Sequence, residues 1–582
     1  MLFRYSMAFA ILVNLAPFAF AQPGKAKKPN VIVIITDDQG HGDLGSHGNP
    51  IIKTPTLDKF AKQSVRMKNF YVSPVCAPTR ASLMTGRYNY RTGVVDTFVG
   101  RAMMHPDEIT LAEILRALGY RTGIFGKWHL GDCYPLRAID QGFEEALVLK
   151  GGGIGQPSDP PGGESYFNPI LQHNGKAVKK EGYITDVITD AAMDYIGKNK
   201  DSPFFCYIAY NCPHGPLEVK KNDYDLYKGK IKLDAFPKIG FPVEGKVNLD
   251  ETAKIYGMIT NIDDNLARFF ARLDARGIAD DTIVIFLTDN GPQQPRFNSG
   301  MRGRKGTVFE GGTRVPFFVR WPNGFQGDRD IDRIAAHIDI APTVVQACGG
   351  AMPKDRTIDG KSVLPLWKGQ KIDWPDRTLF FQWHRGDVPE MYRAFAARSQ
   401  QHRLVQPMGV QEKSAFDKSK LMLFDIANDP FETKDLAGTH AEIVAAMKRQ
   451  YEDWFRDVEG TRKFAPPRIV VGSEKENPTV LTRQDWRSKD GNWTPKSLGY
   501  WELQVANGGT FEFTAILSAA AAKGALLHLD LNGDKYTKKI DEGDKSAFLR
   551  GIDLGAGSLR LEAWIEEGGT VRGTRLVEVR RQ

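Results

Sequence analysis

The sequence predicts an α/β protein built on a doubly wound, mostly parallel sheet, with a small α+β subdomain and an all-β sandwich after it. Three observations predict this. Between residues 30 and 345, β-branched apolar runs alternate with segments of helical period, as when strands are joined by crossover helices. From 375 to 465 the apolar runs shorten and are closed by one long helical segment. From 475 to 582 half-buried strand patterns are separated by Gly-rich turns, the pattern of a sandwich. The expected units are therefore 29–374, 375–465 and 475–582.

The elements follow in order. Asn30 to Asp37 (NVIVIITD) is a continuous apolar run, as in a strand buried on both faces. Leu111 to Leu118 has helical spacing and is stopped by Gly119, and the next strand starts at Arg121. A helix is expected over Asp186 to Ile196, a buried strand from Phe204, a long amphipathic helix over Asn248 to Leu273 and a strand from Thr282. In the second unit Leu379-FFQW and Leu421-MLFDI are short strands, and Ala441 to Asp457 is a helix. Lys463 to Pro478 is a linker. The last unit holds strands from Tyr500, Thr510, Ala525, Ser558 and Thr574, with turn signals Asn507-Gly508-Gly509 and Asn532-Gly533-Asp534 between them. Gly151 to Gly163 is Gly/Pro-rich and is read as a loop.

A chain of 582 residues is too long for one ordinary domain. Its 41% hydrophobic and 25% charged content excludes disordered, collagenous and membrane-embedded classes. Residues 1–21 read as a secretory signal: Arg4, an apolar stretch from Tyr5 to Phe18, and Ala19-Phe20-Ala21 before Gln22. Asn14 and Pro17 interrupt that stretch, which is short for a membrane span. A periplasmic or secreted protein without a membrane anchor is expected. The formal charge of +8 suits a polyanionic substrate, and no nucleic-acid partner is expected. Of the five cysteines, Cys133, Cys206, Cys212 and Cys348 could pair in three ways if Cys76 stands apart.

In open α/β sheets, ligands gather beyond the carboxyl ends of strands. Four strand ends here carry unusual polar groups: Asp37-Asp38, Lys127-Trp128-His129, Asn211 to Pro216 with His214, and Asp289-Asn290. Three carboxylates and an amide are hard oxygen donors, suited to calcium or magnesium rather than zinc. Packed together without a cation they would repel strongly. Cys76-Ala77-Pro78-Thr79-Arg80 starts a helix, since Pro78 fits a first turn. That places Cys76 where the helix N-terminus favours an anion.

Cys76 to Arg80 resembles the C-x-P-x-R maturation signature of the type I sulfatases, in the alkaline phosphatase superfamily. Gly119 to Gly131 (GYRTGIFGKWHLG) matches the second signature, with Phe125 where the strictest pattern has a smaller residue. Cys212 to Pro216 resembles the family's P-H-x-P segment, Met301 to Pro322 its lysine-bearing loop, and Leu423 to Glu432 its C-terminal subdomain. The resemblance spans about residues 29–465. It implies that Cys76 is oxidised to formylglycine by a maturation enzyme, and that Asp37, Asp38, Asp289, Asn290 and the modified Cys76 hold one calcium ion. It implies that Lys127 and Lys305 neutralise the sulfate, that Arg80 holds the aldehyde hydrate, that His214 protonates the leaving alcohol and that His129 regenerates the aldehyde. The reaction implied is sulfate-ester hydrolysis. The signal, basic charge and sandwich favour a sulfated carbohydrate or polysaccharide. Trp383, His384, Arg385 and, more weakly, Arg101 and the loop after Lys150 are the expected substrate contacts. Trp486, Trp493, Tyr500, Trp501 and Trp564 are read first as sandwich scaffolding. The alternatives are a phosphodiesterase or phosphonate monoester hydrolase of the same superfamily, separated by phosphate against sulfate turnover, and an inactive glycan-binding relative, in which Cys76 would remain a thiol.

Overall fold

A computed structural model describes residues 28–488 and 492–582; the expected signal segment lies outside them. Among the described residues no helix is long and apolar enough to cross a membrane. The central sheet is built on four parallel strands: β1 (Asn30–Thr36), β2 (Arg121–Lys127), β3 (Phe204–Ala209) and β4 (Thr282–Thr288), in spatial order β4-β1-β3-β2. Further strands extend both edges, with antiparallel partners beside β4 and at the far edge, so the sheet is mixed but mostly parallel.

The unbroken apolar run of β1 is explained by what lies on each face. Val31, Val33 and Ile35 join the core formed with Ala77, Ala81, Leu115 and Val344. Ile32 and Ile34 join the opposite core with Phe60, Ile188, Met258 and Ile262. Side chains alternate across a strand, so helices on both faces require apolar residues at every position. The helix Leu249–Ala275 starts where the Asn248 side chain accepts hydrogen bonds from the Asp250 and Glu251 amides. Helix Leu111–Ala117 has a reciprocal Thr110/Glu113 capping box.

Register brings the strand ends together. Thr36 pairs with Thr288, so Asp37-Asp38 and Asp289-Asn290 leave the sheet side by side. Ala209 lies beside Ile35 and Gly126, which places Asn211 and Lys127 at the same edge. Gly126 has φ +116, and a Cβ there would lie 2.0 Å from the Ala209 carbonyl oxygen. Only glycine allows this close strand contact.

The second unit is a four-stranded antiparallel sheet, Leu379–Gln382, Phe395–Arg398, His402–Gln406 and Met422–Asp425. It is covered by helix Ala441–Arg462, which stacks Tyr451 on Phe395 with ring centroids 3.6 Å apart. That helix runs five residues beyond the expected Asp457. The C-terminal unit is two packed sheets, antiparallel except for Ile469–Val471, which pairs parallel with Tyr500–Val505. The segment read as linker thus contributes an edge strand, because three apolar residues find an open sheet edge. Met103, Cys133 and Leu136 of the α/β unit share one apolar core with the sandwich. All five cysteines are buried and free.

Candidate active site

Helix α1 (Cys76–Thr85) is buried along its whole length and begins at Cys76. Arg80, one turn on, reaches back beneath it. Its Nη2 donates to Asp289 Oδ2 at 2.7 Å and its Nη1 to the Lys127 carbonyl at 3.1 Å. Lys127 Nζ pairs with Asp37 Oδ2 at 2.6 Å, and Lys305 Nζ with Asp38 Oδ1 at 2.6 Å. Asn290 Nδ2 donates to Asp38 Oδ1 at 2.8 Å. The four strand ends and the helix therefore converge on one buried centre.

Ligand atoms of Asp37, Cys76 and Asp289 all lie within 4.8 Å of one another. Asp37 Oδ1, Asp38 Oδ2 and Asn290 Oδ1 are buried without a hydrogen-bond partner. Buried oxygens left unpaired are costly, and a set of hard oxygens around one point fits a single hard divalent cation. The same crowding acts on titration. Burial and the neighbouring Asp37 push Asp289 up to about 6. Burial opposes ionisation of Asp38 too, but Lys305 and His214 hold its carboxyl below the usual range. Burial also raises the Cys76 thiol, against the pull of Lys127 and Lys305. A bare thiol here would be a poor nucleophile.

Two histidines flank the centre. His129 Nε2 donates to the Thr97 carbonyl at 2.7 Å, and its Nδ1 has no partner. The hydrogen bond fixes the tautomer, leaving the lone pair on Nδ1. Burial and Lys127 keep His129 well below the ordinary histidine range, so it is neutral. His214 Nδ1 donates to the Gly215 carbonyl at 2.7 Å, and its Nε2 lies 3.9 Å from Asp38 Oδ2. Burial lowers it to about 4, against Asp38. The Gly152-Gly153 loop lies across both rings. A Cβ on Gly152 would lie 2.6 Å from the His129 ring, and one on Gly153 2.9 Å from His214 Nδ1.

Cys76, His129, His214 and Lys305 open into a cavity of about 430 Å³ that Trp383, Arg385 and Trp493 also line. Trp383 is 4% exposed and its Nε1 donates to Asp96 at 3.0 Å, so little of its ring is open to the cavity. Arg385 pairs with Asp96 at 2.7 Å and bonds Thr97 Oγ1 at 3.0 Å. Two expected substrate contacts lie elsewhere. Both ring nitrogens of His384 are engaged by backbone, at Arg385 and Glu390, because that ring closes a turn. Arg101 is fully buried and donates to the Phe464 carbonyl at 2.7 Å, joining two units. Sequence reasoning did not find Thr97, whose part is played by a main-chain carbonyl and leaves no mark on residue type. It also did not place Phe98 or Gln293 at the cavity, since they stand in irregular loops, whereas Gly152 and Gln156 at the cavity belong to the loop expected after Lys150.

The Sulfatase family model matches residues 29–350, and the model described as N-sulphoglucosamine sulphohydrolase, C-terminal, matches 304–457. The mouse (Mus musculus) N-acetylgalactosamine-6-sulfatase is 30% identical over 412 residues, covering 65% of this chain and 73% of that protein. Bovine (Bos taurus) arylsulfatase A is 29% identical over 519 residues, covering 78% and 92%. Among solved structures, Ps i-CgsB in complex with k-i-k-neocarrahexaose matches with TM-score 0.65 and 27% identity, over 75% of this chain and 94% of that one. The chain belongs to the sulfatase family. It is a sulfuric ester hydrolase.

Proposed function

We propose that the chain removes sulfate from a sulfated carbohydrate, using formylglycine made from Cys76 and one calcium ion held by Asp37, Asp38, Asp289, Asn290 and the modified Cys76. The observation that supports this most is the set of orphaned buried oxygens around Cys76 at the N-terminus of α1. Bound there, calcium supplies Lewis-acid polarisation and the formylglycine hydrate supplies the attacking hydroxyl. Lys127 and Lys305 each spend one N–H on a carboxylate and keep others for sulfate oxygens, where charge grows as the ester bond breaks. His214 keeps its Nδ1 proton on the Gly215 carbonyl, so only a second proton, taken up at Nε2 beside the Asp38 carboxylate, can pass to the leaving sugar oxygen. His129, with Nδ1 free, would take the proton of the hydrate's second hydroxyl, so that the C–O bond to the transferred sulfate breaks, sulfate leaves and the aldehyde is restored. Arg80 fixes Asp289 and is itself held charged by it. The cavity is within the range of small-ligand sites. The names of the relatives, an N-acetylgalactosamine-6-sulfatase and a protein holding a carrageenan-type hexaose, support a saccharide substrate. An export signal in residues 1–21, with maturation before secretion, belongs to the same reading.

The test is sulfate release from defined sulfated saccharides, using protein co-expressed with a formylglycine-generating enzyme. Release that disappears in Cys76→Ala and on calcium chelation is expected. Phosphate release without sulfate release would replace this reading with phosphoester or phosphonate chemistry.

A further inference from the structure

One wall of the cavity comes from outside the α/β unit. Trp493 belongs to the C-terminal sandwich and is half-buried, yet it lines the same cavity as Cys76, His214 and Lys305. Its ring meets Phe98 edge to face, with centroids 5.0 Å apart and planes at 80°. Phe98 in turn lies under the Arg385 guanidinium at 4.5 Å. The other sandwich tryptophans differ. Trp486 and Trp501 are fully buried in its core, and Trp564 stacks on His528.

Trp493 is held in place by its own domain. Its carbonyl accepts from Arg483 Nη1 at 3.0 Å, and the same guanidinium donates to the Gly573 and Thr574 carbonyls at 2.9 and 2.7 Å. The Pro495 carbonyl accepts from the Gly573 amide at 3.1 Å. The domain is in turn registered on the catalytic loop. Gln484 Nε2 donates to the Thr97 carbonyl at 2.9 Å, and the Gly100 amide donates to the Gln484 carbonyl at 3.0 Å. The acceptor on Thr97 is the one that orients His129. Arg487 pairs with Asp387 across the same seam.

We infer that the sandwich is part of the active site, and that Trp493, backed by Phe98, is a stacking platform for the pyranose ring that carries the sulfate. This rests on the sulfated-carbohydrate reading above. The chemistry is simple. Sulfate needs the cations at the cavity floor, whereas a sugar ring presents a face of C–H groups that gains by leaving water against an aromatic surface. Beside the histidines and cations that line the cavity, Trp493 and Phe98 form an aromatic pair in contact with each other, while the third aromatic ring, Trp383, is tied to Asp96 through its Nε1. An aromatic ring on a braced loop loses little freedom on binding.

The experiment uses the full matured chain with Trp493→Ala and Trp493→Phe. Sulfate release is followed from N-acetylgalactosamine 6-sulfate, k-i-k-neocarrahexaose and 4-nitrophenyl sulfate, with inhibition by inorganic sulfate as the sugar-free control. For the saccharide that the wild type desulfates, W493A is expected to lose at least tenfold in kcat/KM, mainly through KM. W493F is expected to stay within about threefold, with the sulfate inhibition constant and melting temperature unchanged in both. Saccharide kcat/KM within twofold of wild type in W493A overturns the platform while leaving the sulfatase reading intact. So does an equal loss of affinity for inorganic sulfate, which marks a structural role. Wild-type turnover of 4-nitrophenyl sulfate but of neither saccharide overturns the carbohydrate reading, and the platform with it.

Discussion

Asp38 and His129 share an uncommon backbone state. Asp38 has φ 62 and His129 φ 60, the left-handed region that non-glycine residues adopt at some cost. Each is held there by neighbours. The Asp38 amide donates to Asp289 Oδ1 at 3.2 Å while its carboxylate meets Lys305, and His129 is fixed between the Thr97 carbonyl and Gly152. The strain aims both side chains at the centre. His214 gives a prediction at this scale. A sugar alkoxide is a poor leaving group that needs a proton, and a nitrophenolate needs almost none. His214→Ala should therefore lower kcat for a sugar sulfate by about 10²–10⁴, and for 4-nitrophenyl sulfate far less. Parallel kinetics on the two esters check this, and equal losses would remove His214 from the acid role.

At the scale of elements, the α/β unit and the small antiparallel sheet are joined by a buried ionic knot. Arg403 Nη1 pairs with Glu310 Oε1 at 2.7 Å, and its Nη2 donates to Thr313 Oγ1 at 2.7 Å. The Glu310 amide donates to Glu432 Oε2 at 2.8 Å, and Arg398 Nε donates to the Tyr71 hydroxyl at 2.8 Å. Arg403, Glu310 and Glu432 are fully buried. Burial pushes Glu432 up to about 8 although Arg403 opposes it. Removing Arg403 takes the cation from Glu432 and leaves Glu310 only its longer pairs with Arg398 and Arg314, so Arg403→Ala should destabilise by about 3–5 kcal/mol. Urea unfolding checks this. A loss below about 1 kcal/mol would mean that water relieves the stranded carboxylates.

For the whole molecule, Asp37, Cys76 and Asp289, where the calcium ion is proposed, bring β1, β4 and α1, elements far apart in sequence, to one point. A ligand that binds only the folded state stabilises it by RT ln(1 + [L]/Kd), about 2.7 kcal/mol at a hundredfold excess over Kd. Calcium should raise the melting temperature of chelator-treated protein by several degrees, and Asp37→Asn and Asp289→Asn should abolish most of that rise. Differential scanning calorimetry across a calcium series reads it. Equal shifts in the variants would place the cation elsewhere.

Much of this protein is legible in its sequence because the signals are local. The apolar run of β1 declares a strand covered on both faces, the spacing of Leu111 to Leu118 before Gly119 declares a helix and its stop, and the residues around Cys76 and Lys127 carry motifs whose spacing is fixed by one turn of helix or one strand end. The meeting of Asp37-Asp38 with Asp289-Asn290 is legible too, since residues that follow neighbouring parallel strands leave the sheet at the same edge. What the sequence leaves open is whatever depends on register between distant segments. Trp383, His384 and Arg385 are neighbours in sequence, but the first and third line the cavity while His384 closes a turn. Arg101 looks like a free cation and is a buried tie. Trp493 looks like one more sandwich aromatic and stands beside the catalytic cavity. Trp383 and Arg385 are placed by Asp96, Arg101 by the Phe464 carbonyl, and Trp493 by the docking of the sandwich on the loop at Thr97, a contact 387 residues apart in the chain that no local pattern can encode.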